Sequence, residues 1–334
     1  MAALTALALF GSVAPARSAP ADTPSGRSRD PQRPARRSHR SEPADAGLPA
    51  RFVAELDGQI VVVSADTGRI QRRLTAEQPG GGAESPAVSV NGRTVWFSRG
   101  DGTCAAHIAS VPVAGGAERT LPGSGESGPE RFPLPRPGHA QLAYSRASCS
   151  DGTVALVVGD LRGDESHGQA GFEPLAWSRD GAHLLATTAD RDRLRLLDVN
   201  ERGAVVADHA VDPGDPTPGC TLRVVGFSPD DNRGYVAVRR CGGDTDGGPR
   251  RTLVVLDKDG AVRQTVVRLA RGEDFGAVLA FDDSGHSLLY STVPAGAPAA
   301  GDQAGGQDTL WVWRDGSLRL LARQSRYHDA AWLP

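Results

Sequence analysis

Glu84, Glu130 and Glu173 each stand four residues ahead of the residue that closes a short apolar run, at Val88, Leu134 and Trp177. Carboxylates that recur at one position of a repeated element belong on a common surface, where they would receive a cation or a basic peptide segment. Comparable places in later runs hold Arg223, Asp274, His328 and Asp329. Two chemistries fit this set. One is non-covalent binding by a ring of carboxylates, which raise one another's pKa values when close. The other is metal-assisted hydrolysis, with Glu84, Glu130, Glu173 and Asp329 as oxygen ligands. The first is the preferred reading, with no catalytic residue, no resident metal and no cofactor.

Other motifs reduce to turns. Asp283-Ser284-Gly285-His286 has the residue types of a serine hydrolase, but it occupies a turn where sister segments read Arg-Asp-Gly or Pro-Asp-Asp. A Gly-x-Ser-x-Gly elbow fails at Ser127, because Pro129 takes the final position. Asp244 and Asp246 match part of a calcium loop without its third early ligand or closing Glu. The two Arg-Gly-Asp triplets, at Arg99 and Arg162, are expected by chance in a chain this rich in those residues.

The elements that must position these residues repeat along the chain. Pro174 to Ala186, Val225 to Ala237 and Leu279 to Tyr290 each read as an apolar strand, a turn of Asp, Gly and Ser, and a second apolar strand. The residue before the turn falls at Val88, Leu134, Trp177, Phe227, Phe281 and Trp332, at intervals of 46, 43, 50, 54 and 51. A second register of hairpins ends on Gly68, Gly116, Gly163, Gly203, Gly260 and Gly316, where tight loops favour positive φ. Two hairpins per unit make four antiparallel strands, and the period is that of a β-propeller. The expectation is an all-β, six-bladed β-propeller over residues 50–334, whose innermost strands line a central channel with the charged residues named above at its open rim on one face. Arg51 to Leu56, Gln59 to Val63 and Ile70 to Leu74 are three strands lacking an innermost partner, and the C-terminal strand around Trp332 supplies it.

Four cysteines allow three pairings. The repeat register narrows the choice. Folding the hairpin about Asp230 and Asp231 sets Cys220 opposite Cys241, while Cys104 and Cys149 both follow the second strand of neighbouring blades. The expected bonds are Cys104–Cys149 and Cys220–Cys241. No Cys-x-x-Cys spacing supports zinc.

Residues 1–21 contain an apolar stretch, Ala2 to Ala14, of signal-peptide length, too short to span a bilayer, with small-residue cleavage patterns after it. Arg17 and six arginines from Arg27 to Arg40 follow this stretch and no basic residue precedes it, so a start upstream is expected. Residues 22–49 are Pro, Ser, Arg and Ala and read as a disordered linker. One Lys against 36 Arg indicates GC-rich coding, as in actinobacteria, and a net charge of -3 gives the folded part no reason to bind nucleic acid.

The Trp177-Ser-Arg-Asp-Gly181, Phe227-Ser-Pro-Asp-Asp231 and Phe281-Asp-Asp-Ser-Gly285 units resemble the WD40-like repeats of TolB-type propellers, whose core is Trp-Ser-Pro-Asp-Gly followed by an apolar strand. The resemblance covers nearly all of residues 50–334. It implies a propeller of a kind used in exported protein-binding modules and in the gating domains of peptidases. The resulting expectation is an exported, monomeric, non-enzymatic module in the cell envelope or outside the cell. It would bind a protein or peptide partner and carry no transmembrane anchor. The alternative is a propeller hydrolase of the lactonase or phosphodiesterase kind.

Overall fold

A strand buried on both faces has no need to alternate apolar with polar residues. The middle strands of each repeat accordingly read as unbroken apolar runs, such as Ile-Val-Val-Val at 60–63 and Leu-Leu-Ala at 184–186, all buried. The computed structural model describes residues 49–334 apart from 79–80, 101–103, 189, 191, 215–216, 230–233, 243–249, 283, 296–307 and 315. The signal-peptide and linker readings and the calcium-like loop lie outside the described residues.

Every regular element described is a strand, and the strands form six four-stranded antiparallel sheets. Blade 1 contains β1 (Arg51–Leu56), β2 (Gln59–Ser64) and β3 (Ile70–Arg73). Blade 2 contains β4 (Gly82–Val88), β5 (Thr94–Gly100), β6 (His107–Pro112) and β7 (Arg119–Thr120). Blade 3 contains β8 (Glu130–Pro135), β9 (Gln141–Ala147), β10 (Val154–Asp160) and β11 (Glu165–Ala170). Blade 4 contains β12 (Glu173–Trp177), β13 (His183–Thr187), β14 (Leu194–Val199) and β15 (Val205–Val211). Blade 5 contains β16 (Cys220–Phe227), β17 (Tyr235–Cys241), β18 (Arg250–Leu256) and β19 (Val262–Arg268). Blade 6 contains β20 (Glu273–Phe281), β21 (Ser287–Pro294), β22 (Asp308–Arg314) and β23 (Ser317–Ser325). The last strand, β24 (Tyr327–Leu333), joins blade 1 in the order β24-β1-β2-β3. The six-bladed propeller closed by the C-terminal strand is thus what the repeats predicted.

The core is distributed between blades. Buried clusters join blades 1 and 2, 2 and 3, 3 and 4, 4 and 5, 5 and 6, and finally 6 and 1, where Val278, Leu289, Leu310 and Val312 meet Phe52, Ala54 and Val61. In the closing blade Phe52 lies edge-on to Trp332 at 6.0 Å and to Tyr327 at 6.3 Å. Polar groups of the same repeat positions link one blade to the next. The Trp177 indole donates to Leu134 O at 3.0 Å, and Trp332 donates to Ala280 O at 2.9 Å. Arg136, 3 % exposed, donates at 2.7 Å to Gly181 O, Asn200 O and Val199 O of blade 4 and stacks over Trp177. A guanidinium tolerates such burial because these carbonyls and Gln141 Oε1 take four of its five N–H donors.

The repeated Asp, Ser and Gly residues are turn chemistry. Ser178 donates to Asp180 at 2.6 Å, and Asp180 accepts from Ala182 N at 3.0 Å. Ser284 donates to Asp282 at 2.5 Å, so its hydroxyl belongs to the turn and not to a nucleophile. Gly163 has φ 94°, and a Cβ there would lie 2.3 Å from Pro122 O of the neighbouring blade, so this turn position admits only glycine. Both expected disulfides are present: Cys220 pairs with Cys241 across β16 and β17, and Cys104 is bonded to Cys149, linking blades 2 and 3.

A chain ending at Arg326 lacks β24 and uncovers β1 together with the Phe52 cluster. Its thermal midpoint is expected to fall by about 10 °C or more, or its cooperative transition to vanish. Melting within about 2 °C of the parent would show that the ring does not depend on this closure.

Candidate functional site

Each innermost strand carries an irregularity near the position of the predicted carboxylates. Register shifts interrupt β4 after Glu84, β8 after Arg131, β12 after Pro174, β16 after Val224 and β20 after Phe275, and one interrupts β24 where it meets Ala54 and Glu55. Three of these bulges place a non-glycine residue at positive φ: Ser85 at 52°, Phe132 at 56° and Asp329 at 30°. A bulge re-aims the side chains beside it. What each carboxylate does then depends on the residue opposite it on the next strand.

Glu130 pairs in register with Arg146 and is 0 % exposed. Arg146 Nη2 and Nε donate to Glu130 Oε1 at 2.5 and 3.0 Å, and Ser124 donates to Oε2. Ser124 Oγ accepts in turn from Ile108 N at 2.6 Å. Glu130 is therefore a strut between blades 2 and 3. The expectation that it lines an open rim needs correction: a basic residue on β9 closes over it and takes its charge. Asp274 is likewise committed, forming an ion pair with Arg251 Nε at 2.6 Å and accepting from Arg240 Nη2 at 3.1 Å. Glu173 is half-buried opposite Thr187, and Arg223 is exposed opposite Val238.

Glu84 and Asp329 are placed differently. Glu84 faces Ser98, which brings no charge, and forms no ion pair among the described residues. Asp329 is exposed and accepts from Ser85 Oγ of blade 2 at 3.1 Å. The same bulge sets half-buried His328 opposite Glu55 on β1. Burial, together with the charges of Asp329, Glu84 and Asp57, raises the Glu55 carboxyl from 4.5 to about 7, against a lowering hydrogen bond from the Gly58 backbone. Glu55, Glu84 and Asp329 are thus electrostatically coupled at the junction of blades 1 and 2. Glu55 escapes a reading of the innermost strands because it lies on the second strand of its blade. The signal that could have found it is a carboxylate interrupting the apolar run Phe52-Val-Ala-Glu-Leu56.

The arrangement favours reversible capture of positive charge. Among the described residues no group of three or more His, Cys, Asp or Glu side chains is arranged to hold a metal ion. The four-carboxylate ligand set considered for hydrolysis is not assembled, since Glu130 is sealed under Arg146. No described helix is long and apolar enough to cross a membrane.

No family model matches the chain, and no curated protein matches it. Solved structures resemble it in fold. The putative TolB from Agrobacterium tumefaciens has a TM-score of 0.55 at 14% identity, covering 83% of this chain and 90% of that one. TolB from Acinetobacter baumannii has a TM-score of 0.53 at 13% identity, covering 85% of this chain and 66% of that one, so the chain spans just under two thirds of that protein's length. A prolyl endopeptidase structure is a more distant neighbour, with a TM-score of 0.49 at 14% identity, covering 82% of this chain and 48% of its own. The propeller is TolB-like in architecture.

Two measurements follow from these carboxylates. Glu55 holds its proton more tightly folded than unfolded, so its contribution to stability is present at low pH and is lost as pH rises from 4.5 through about 7. Its ionised form costs at most about 3 kcal/mol, less what water screens at this half-buried position. Glu55→Gln should leave the melting temperature near parental at pH 4.5, raise it at pH 8, and flatten the pH dependence between; a parallel profile would show that Glu55 is not perturbed. Glu130→Ala removes the carboxylate that accepts both Arg146 Nη2 and Nε and should destabilise by ~3–5 kcal/mol in denaturant titration. A loss below about 1 kcal/mol would place Glu130 at an exposed rim after all.

Proposed function

We propose that this protein is an exported, non-enzymatic binding module that captures a basic segment of a protein partner at the blade 1–blade 2 edge of its channel rim. The observation that carries this reading is the juxtaposition of Glu55, Glu84 and Asp329, in which two neighbouring blades concentrate carboxylate without a compensating guanidinium on Glu84. A preorganised negative patch on a rigid ring attracts lysine and arginine side chains and gives fast, salt-sensitive association. Two disulfides support an oxidising compartment, since such bonds persist outside the cytoplasm. The TolB-like architecture is compatible with a binding role without assigning a partner.

The test is binding of a lysine-rich peptide to the parent, to Glu84→Lys with Asp329→Lys, and to a charge-matched control, Glu201→Lys with Asp259→Lys, which lies in turns on the opposite face. Rim reversal is expected to weaken binding at least about tenfold while the control does not. Parental affinity should also rise with pH through about 7 as Glu55 ionises. Equal loss in both double variants, with folding intact, would remove the rim as the site. Stoichiometric zinc or calcium surviving dialysis would favour the metal-dependent hydrolase instead.

A further inference from the structure

On the face opposite the carboxylate rim, blades 1 and 2 leave a groove of about 610 Å³. Its origin is in the strand lengths. The outermost strands here, β3 and β7, have four and two residues, whereas those of the other blades, β11, β15, β19 and β23, have six to nine. Truncated outer strands fail to fill the wedge between two blades that diverge from a common axis.

Three arginines border the groove: Arg51 at the start of β1, Arg72 on β3 and Arg93 in the turn before β5. All are exposed, none has an ion-pair partner among the described residues, and no carboxylate side chain lines the groove, where Gly92 packs against Pro334. Arg72 is held across the gap by donating Nη1 to Val113 O and Ala114 O, which leaves Nε and Nη2 to donate elsewhere. The side chains of Arg51 and Arg93 make no hydrogen bond among the described residues. Between them the accessible apolar lining is Pro112 and Val113, above the buried Val62, with Gln71 beside them.

This pattern contrasts with the arginines that the ring commits to structure. Arg136, Arg146, Arg251 and Arg314 each donate to carboxylates or carbonyls of their surroundings. Three like charges gathered without a counter-charge cost free energy through mutual repulsion, and an anionic occupant relieves it. Guanidinium forks fit carboxylates in bidentate fashion. The apolar lining distinguishes a peptide from a bare anion, because inorganic or polymeric phosphate has nothing to bury there. Recognition by strand addition is blocked at β6: beyond the two residues paired with β7, the next outward position is Pro112, which has no N–H, and its carbonyl accepts from Gly115. Binding must therefore use side chains.

We infer that the groove between blades 1 and 2 is a docking site for an acidic segment of a partner protein, one in which carboxylates engage Arg51, Arg72 and Arg93 while a leucine-sized side chain rests on Pro112 and Val113. This site is separate from the carboxylate rim and takes a ligand of opposite charge, so either can fail without the other.

The test is fluorescence anisotropy with the full chain, at about 150 mM salt to suppress non-specific attraction by the Arg27 to Arg40 run. The probe is an acetylated, labelled peptide alternating Glu with Leu. Arg51→Gln with Arg93→Gln, neither of which removes a described hydrogen bond, is expected to weaken the probe at least about tenfold. Arg250→Gln with Arg268→Gln, on exposed positions of blade 5, should leave it unchanged. A second probe with Ser in place of Leu should bind at least about fivefold more weakly, and millimolar phosphate should displace the first probe only slightly. Equal affinity in the groove variant and the control overturns the proposal. So does equal binding of the two probes, or complete displacement by phosphate, since either reduces the groove to a simple anion site.

Discussion

The pairing of β24 with β1 is the constraint on which the rest of the molecule depends. A four-stranded blade cannot bury both of its faces alone, and each of the six buried clusters is shared between two blades. If the cluster between blades 6 and 1 were missing, Phe52, Ala54 and Val61 would face water and the innermost edge of β1 would be unpaired. Because β24 comes from the far end of the chain, closure joins contacts of the greatest sequence separation, the kind with the highest entropic cost of formation. Its reinforcement is correspondingly dense: Trp332 donates to Ala280 O, packs edge-on against Phe52 and lies beneath the Arg314 guanidinium.

Closure also creates the rim cluster. Asp329 reaches blade 2 only because β24 sits inside β1, and the bulge that gives Asp329 its positive φ is the one that brings His328 opposite Glu55. The three coupled carboxylates thus come from a C-terminal strand, an N-terminal strand and the first strand of the next blade. Their separation in sequence hides the group, and the topology assembles it.

The blades were legible because two periodic signals agreed: apolar runs broken by Asp, Ser and Gly, and a second hairpin ending on Gly. Both disulfides followed from the same register, since strand pairing alone sets Cys220 opposite Cys241. The roles of the carboxylates were not legible at that level. Glu84, Glu130 and Glu173 occupy one repeat position, yet their cross-strand partners are Ser98, Arg146 and Thr187. One substitution on the neighbouring strand turns an accessible carboxylate into a sealed ion pair. A repeat alignment that compares innermost strands only cannot detect it, whereas pairing each with the strand that follows makes Arg146 conspicuous.

Arginine carries a similar ambiguity. In a chain with 36 Arg and one Lys, the abundance of guanidinium says nothing about where charge is used. The fold divides the arginines by what surrounds them. Arg136 donates to three carbonyls of the next blade, and Arg251 is committed to Asp274. Arg51 and Arg93 meet neither, and they border the groove where the outer strands stop after four and two residues. A rigid ring whose core is complete between the inner strands can lose outer-strand length at one interface without losing closure. The place where it does so is where uncompensated charge and uncovered apolar surface coincide, and long side chains held on such a frame lose little additional entropy when a ligand arrives.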